Sequence, residues 1–502
     1  MIRSYLPLLV VMFPLIATIF RPFVQKHRFY HYTAIVSGVT LAIMLYMYPA
    51  VISGKILDLT LDTGLGFNFV FRADLLGFFV GIISVILWTL SSIYSIEYMN
   101  HSHAHGRFNL FSLLSLGGML GVVFTGNLFT LYIFFELLSV ASAILVFHEE
   151  TPDAMKAGFK YLFLGIAGGL VLLFSIIMTY AITGTGDLTL IGIGLQGSKW
   201  LPWIFWGYII GFGVKAGMFP LHIWLPSAHP VAPSGASALL SGVMIKAGAY
   251  GIFKTIYNIV GYQDMVKNHM GLLLPMFFIS LITIFLGSAC AITQKEIKKM
   301  LAYSSISQIG YVIMGFCLLA PLGITGGLVH IFAHALMKST LFMCAGAFIY
   351  KTGLRELNDL KGIGRRMPLV TGAFSVCAFS MIGLPPFIGF ISKWFLALGT
   401  LEIMKMGNYW PGFGLIALLT LLLSSLLNLV YYGPVVIGAW MHEGKQEVHA
   451  VAANPGSDPK NDDPNWIMLG PILLFSLGVL FFGIFPGLPL GIARQISRLF
   501  FL

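Results

Sequence analysis

Fourteen apolar segments, each close to the length a helix needs to cross a bilayer, follow one another along this chain, with no stretch between them long enough for a soluble domain. They fall at about 5–20, 29–51, 75–98, 108–125, 127–147, 158–183, 200–220, 232–258, 271–291, 300–319, 322–350, 367–399, 411–440 and 466–489. Three run long and need tilt, kinks or breaks. The first (MIRSYLPLLVVMFPLIATIF) lacks the small-residue cleavage site of a signal peptide and is followed at once by further apolar segments, so it reads as span 1. Charged residues make up 10% of the chain, and mean hydropathy is +0.89. A soluble domain would carry roughly a quarter, so most of this surface must face lipid. The expected fold is an all-α polytopic membrane protein, with the polar stretch 442–465 as a flexible loop.

The net charge of +10 does not indicate nucleic-acid binding, because the basic residues divide between loops and spans. Loops after odd-numbered spans hold sixteen Lys and Arg; the even-numbered loops and the termini hold eight. This asymmetry predicts a multi-pass protein of the cytoplasmic membrane with odd loops inside and both termini outside. Four cysteines (Cys290, Cys317, Cys344, Cys377) sit singly on apolar segments, as small core residues do.

Two spans are interrupted. Span 7 carries Pro220 and Pro226 in VKAGMFPLHIWLP, and span 12 carries Pro385 and Pro386 in MIGLPPFIGFISKW. A helical proline removes the bond to the carbonyl four residues back, which frees the carbonyls of Ala216, Met381 and Ile382. Irregular backbone at membrane depth survives only beside a cavity or inside protein. Two broken spans five apart suggest inverted five-helix repeats, spans 4–8 and 9–13. The corresponding units are 1–107 with spans 1–3, 108–260 and 270–440 for the repeats, and 441–502 for the polar loop and span 14. Common transmembrane proline kinks are the alternative.

Inside the spans lie Lys215, Lys246, Lys338 and Lys393, with Lys254 near a span end, and among the acids clearly only Glu136 in TLYIFFELLSVAS. Each charge at the bilayer centre costs about 2.5–3.5 kcal/mol, so their presence calls for a function. Snorkelling to an interface remains the other reading for Lys254 and Lys393. Burial disfavours the charged form of an amine and a nearby carboxylate favours it, so a Lys–Glu pair can gate a proton. Glu136 with Lys215 is the candidate pair. In span 11, His330, His334 and Lys338 recur at four-residue steps in GLVHIFAHALMKSTLF, so they share one helical face roughly 12 Å long. A proton relay, a metal site and structural histidines all fit this face. No Cys, Asp or Glu lies near enough in sequence to complete a metal site. Ser304, Ser305, Ser307, Gln308 and Tyr311 in span 10 suit a water chain or polar helix packing. The loop NHSHAHGRF (His101, His103, His105) reads as surface histidines, with a metal site as the alternative.

The stretch VKAGMFPLHIWLPSAHPVAPSGASALLSGVMIKAGAYG (214–251), with FFELLSVAS, ITQKEIKKMLAYSSISQIGY (292–311) and VHIFAHALMKSTLF, resembles the antiporter-like subunits of respiratory complex I, Mrp cation/proton antiporters and membrane-bound hydrogenases of the formate hydrogenlyase type. The resemblance covers about residues 75–440. It implies fourteen spans with paired broken helices and proton conduction through a chain of charged residues. Glu136 then resembles the span-5 gate glutamate and Lys215 its span-7 partner. Lys246 resembles the central lysine of span 8, with His334 and Lys338 in the span-11 relay, and Lys393 the distal residue of span 12. The stretch AHPVAPSGASALLSGVMIK looks closest to hydrogenase-type and Mrp-D-like members, and Lys393 argues against the complex I branch that has glutamate there. The longest complex I subunits also carry an extra amphipathic helix, whereas this chain stops after span 14. No motif binds a redox cofactor or metal or supplies energy, so other membrane subunits must drive it, with sodium moving, if at all, elsewhere in the complex. A self-sufficient solute symporter, a sodium path and a purely structural module are the rival readings.

Overall fold

The computed structural model describes residues 1–25, 28–64, 68–100, 102–405, 411–442 and 462–501. Thirteen helices among these are long and apolar enough to span a membrane, and the pair Pro368–Ile382 and Ile388–Lys405 supplies the remaining crossing as a broken span 12. In hydrocarbon every backbone group must find its partner inside the protein, which makes the helix the default for each apolar run. Side-chain caps mark several span starts. Asp74 accepts from Gly77 N at 2.6 Å before span 3 (Leu75–Tyr98), and Asn127 accepts from Thr130 N at 2.7 Å before Leu128–Val146 in span 5. Most of the polar stretch 442–465 lies outside the described residues, as does His101.

Burial sorts the spans into a centre and a rim. The apolar windows of span 8 (Ser234–Asn268), span 10 (Ile297–Cys317) and span 11 (Pro321–Thr352) are 100%, 94% and 94% buried. Those of span 6 (Pro152–Thr183) and span 13 (Gly412–Met441) are 33% and 28% buried and face outward. All the serines of span 10, and His330, His334 and Lys338 of span 11, are therefore core residues.

Both expected breaks are present. Span 7 runs as Leu201–Ala216, then a 3₁₀ turn Leu221–Trp224, then Leu225–Val231. Each break begins at a glycine in the left-handed region, Gly217 at φ +73° and Gly383 at φ +98°, where a side chain would be strained. Pro226 opens the second half of span 7 and is not part of its break. Span 8 departs from α geometry twice, in π segments at Leu240–Met244 and Thr255–Gly261 on either side of the α segment Ile245–Lys254.

Two features add to the sequence reading. Beside the helical bundle, strands β1 (Ile2–Arg3), β2 (Leu57–Asp62) and β3 (Asn68–Ala73) form a small sheet, β1 parallel and β3 antiparallel to β2. The strict alternation of LDLTLD is the period-2 signal that announces it. A helix also follows span 14 (Trp466–Ile484): Gly487–Arg498 buries Pro489, Ala493 and Ile496 and exposes Arg494 and Arg498.

The sheet is fastened to the first helical bundle through Arg72. Its Nε donates to Asp58 Oδ1 on the neighbouring strand at 2.6 Å, and its Nη groups donate to the two Asp187 oxygens at 3.0 Å each, in the loop after span 6. Burial alone would raise the Asp187 carboxyl, but hydrogen bonds from Arg72 and Thr189 and the adjacent guanidinium outweigh it and hold the group below its ordinary value. Its contribution to stability is thus complete at neutral pH and is lost as pH falls through that lowered value. Asp187→Asn is expected to cost about 2 kcal/mol at pH 7, read as an earlier thermal unfolding of the purified protein, with the gap to wild type closing in acid. Equal stability at neutral pH would remove the clamp.

Candidate functional site

Lys215 lies in the last helical turn before the span-7 break and is 2% exposed. At the break the Val214 carbonyl accepts from the Gly217 backbone NH at 3.2 Å and from the Trp224 indole NH at 2.8 Å. Trp224 also stacks on Tyr161 of span 6, with ring centroids 4.0 Å apart, and so positions the phenol. Lys215 Nζ donates to Tyr161 Oη at 2.6 Å, to Ser142 Oγ at 3.0 Å and to the Leu138 carbonyl at 3.5 Å. Glu136 is not among its partners. It stands on span 5 with Leu138 and Ser142, half-buried, and its Oε1 has no hydrogen-bond partner. A Cβ on Gly169 of span 6 would collide with this carboxylate, so the glycine makes its room. The candidate gate pair makes no direct hydrogen bond in this structure, but its two members interact electrostatically beside span 5.

Lys246 begins the α segment that follows the first π segment of span 8. Its Nζ donates to the Ser241 carbonyl at 2.5 Å and meets His334 Nδ1 at 2.8 Å, which joins spans 8 and 11 directly. His334 Nε2 is buried and unpartnered. The His330 ring runs parallel to it, with centroids 6.1 Å apart. His330 bonds Gln308 Oε1 at 3.0 Å through Nε2 and Ser392 Oγ at 2.9 Å through Nδ1. Ser392 immediately precedes Lys393.

Lys393 lies in the second half of span 12 and turns back across the break. Its Nζ donates to the Met381 carbonyl at 2.8 Å and the Ile382 carbonyl at 2.9 Å, the two that the paired prolines free, and to Ser425 Oγ at 3.1 Å. Asn428 supplies Met381 with a second donor at 3.0 Å. The Lys393 ammonium also faces the Tyr311 ring at 5.3 Å, and Tyr311 in turn lies edge-on to His330. Lys338 departs from its expected neighbours on span 11. It donates to the Leu301 carbonyl at 2.9 Å and to Tyr432 Oη at 3.1 Å, toward spans 10 and 13. The polar face of span 10 reaches several of these groups, with Ser305 on Ser241, Ser304 on Tyr432 and Gln308 on His330.

The family model described as "NADH:quinone oxidoreductase/Mrp antiporter, TM" matches residues 125–410, more than half the chain, and every residue placed above falls inside that match except Ser425, Asn428 and Tyr432. The chain belongs to this family. It is 35% identical over 387 residues to NADH-quinone oxidoreductase subunit N of Desulforudis audaxviator, covering 76% of this chain and 74% of that one. It is 30% identical over 432 residues to hydrogenase-4 component B of Escherichia coli, covering 82% of this chain and 61% of the longer relative. Its fold matches a chain of the Mrp complex from a Dietzia species, with a TM-score of 0.87 at 21% identity over 99% of this chain and 97% of that one.

This antiporter-family chain also buries polar groups that the sequence reading left out. Lys298, counted there among loop charges beside Lys295 and Lys299, is 3% exposed and donates to the Ala232 carbonyl at 2.9 Å, where the second half of span 7 ends. His229 is fully buried, lies face to face with Phe342, and has neither ring nitrogen bonded. Tyr161, Ser142 and Tyr432 hold lysines, yet nothing in their spacing distinguishes them from packing residues. Both lysines suspected of snorkelling have protein partners. Lys254 is 3% exposed and pairs with Asp74 Oδ2 at 2.7 Å, and Lys393 is 5% exposed inside its break. Of the loop histidines, His103 stacks on His148 and His105 Nδ1 meets Tyr30 Oη at 3.0 Å.

Lys393→Met should leave the Ile382 carbonyl short of its donor and destabilise the protein by about 1–3 kcal/mol, measured as a lower unfolding temperature in detergent. An unchanged melting curve would show that the lysine does not hold the break.

Proposed function

We propose that the chain moves protons across the membrane as the antiporter-like subunit of a multi-subunit complex, along Glu136, Lys215, Lys246, His330, His334, Lys338 and Lys393. The observation that carries this reading is the contact of Lys246 with His334 at 2.8 Å, inside a central layer of spans that is almost wholly buried. From there the parallel ring of His330, with its centroid 6.1 Å from that of His334, leads to Ser392 at 2.9 Å and to Lys393 next to it in sequence. A buried amine that bonds neutral acceptors can lose and regain a proton without stranding a carboxylate. Tyr161 and Ser142 hold Lys215 in that manner, while Glu136, a short distance along span 5, is the acid that would draw the charge when the pair closes.

In this reading residues 108–260 and 270–440 are two inverted repeats with their breaks at Pro220 and at Pro385–Pro386, residues 1–107 carry spans 1–3, and 441–502 carry the polar loop and span 14. The excess of Lys and Arg in odd-numbered loops supports both termini outside, in a cytoplasmic membrane. Other membrane subunits of the assembly supply the driving force. The parent complex is an Mrp-type Na+/H+ antiporter or a membrane-bound hydrogenase or related oxidoreductase, which the lysine at position 393 supports. A second reading, a complex I subunit, is favoured by the 35% identity to NADH-quinone oxidoreductase subunit N. Identifying the subunits that co-purify with the tagged chain separates the two.

The proton path has its own test. Glu136→Gln and Lys215→Ala, each in the assembled complex in vesicles, should lower proton transport by about 10²-fold or more, measured with a pH-sensitive dye inside the lumen. Tyr161→Phe, which removes one acceptor from Lys215 and keeps the ring on Trp224, should cost about tenfold. Full transport by either the glutamine or the alanine variant, with the complex intact, would sink the proposal.

A further inference from the structure

On the opposite side of span 11 from its histidines lies an apolar groove of about 760 Å³, between span 2 (Phe29–Ile52), span 3, span 11, span 14 and the helix Gly487–Arg498. Its walls include Phe79 and Ile82 of span 3, Phe332 and Leu336 of span 11, and Phe482 of span 14, and the Tyr48 phenol is the one polar side chain in its lining. Phe332 and Leu336 flank His334 in sequence, so the groove is a wall of the helix that presents the buried histidines. The groove is open to its surroundings, and its apolar wall offers water almost no hydrogen-bond partners. Four of the five bounding elements are membrane spans, so the groove lies at bilayer depth, where hydrocarbon is the available filler. One end is closed by Leu488, Pro489 and Ile492 of the terminal helix, which lays its apolar face on the protein and exposes Arg494 and Arg498. Gln495 of the same helix donates to the Ile52 carbonyl at 3.4 Å, which brings the end of span 2 and exposed Lys55 to that mouth.

We propose that this groove binds an acyl chain of an anionic phospholipid whose headgroup rests on the cationic surface of the terminal helix, and that the lipid supports the relay helix from behind. Chain and headgroup follow from separate observations: an almost wholly apolar wall at bilayer depth, and a basic helix at its mouth. The site depends on the protein spanning a bilayer and not on its transport activity.

Gly478 offers a direct test. A Cβ there would meet only Leu336 Cδ1, at 3.9 Å, so a large side chain can enter the groove without displacing backbone. Full-length wild type and Gly478→Phe are equilibrated in vesicles of equal phosphatidylglycerol and phosphatidylcholine, extracted in mild detergent, and their tightly retained lipids counted by native mass spectrometry. Wild type should retain a phosphatidylglycerol that Gly478→Phe loses, while Gly478→Ala keeps it. Ile82→Trp, which fills the groove from the facing wall, serves as the second variant should Gly478→Phe fail to fold, and should lose the same lipid. Equal retention by wild type and a folded groove-filling variant would overturn the site. Retention of phosphatidylcholine as readily as phosphatidylglycerol would overturn the headgroup assignment. In delipidated complex, transport restored by phosphatidylglycerol in wild type but unaffected by it in Gly478→Phe is the expected functional counterpart; identical restoration in both would sever the lipid from the relay helix.

Discussion

Backbone carbonyls are what the buried lysines of this protein hold on to. Lys215, Lys246, Lys298, Lys338 and Lys393 each donate to at least one main-chain oxygen, on Leu138, Ser241, Ala232, Leu301, and Met381 with Ile382. In hydrocarbon an unpaired carbonyl costs several kcal/mol and so does an unpaired ammonium. At Ser241, Ala232, Met381 and Ile382, in or beside irregular backbone, each supplies the other's missing partner, whereas Leu138 and Leu301 lie within regular helices and accept the lysine as an additional donor. A helix can break at Gly383 because Lys393 is there to satisfy it, and the lysine can be buried because the break offers it oxygens.

A neutral acceptor has a further merit over a carboxylate. It stabilises an ammonium through a dipole, whereas a full opposite charge would pin the proton in place. The contrast is visible within span 8. Lys246 bonds a carbonyl and an imidazole, while Lys254, two turns on, is locked to the Asp74 carboxylate that also caps span 3. The first suits a group that changes charge, and the second suits a fastening. The hydroxyls of Ser142, Tyr161, Ser425 and Tyr432 extend the same neutral coordination from neighbouring helices, and Ser142 and Ser425 also donate to carbonyls of their own helices.

Much of this was legible in the residues. Apolar runs located all fourteen crossings because a bilayer leaves helices no competitor, and the prolines located both breaks because a missing NH cannot be repaired locally. The freed carbonyls of Met381 and Ile382 could be named in advance since proline acts at a fixed offset. What escaped has physical reasons too. Lys298 sits among charges that do reach solvent, and only the packing of span 7 against span 10 buries it. Glu136 and Lys215 lie near enough to interact electrostatically, but composition carries no distances and could not show that the ammonium's direct hydrogen bonds go to Tyr161 and Ser142. The sheet was lost to length: two six-residue strands between two long apolar helices leave a weak trace, although LDLTLD alternates strictly. The terminal helix is too polar overall to register as a span, so only its one-sided pattern could have revealed it.

Arg72 has a mechanical meaning. By holding Asp58 of the sheet and Asp187 beyond span 6 at once, it ties the first two spans to the loop that leads into the broken span 7. The loop after span 6 therefore leaves the sheet from a fixed point, and span 7 starts its run toward the break from an anchored end.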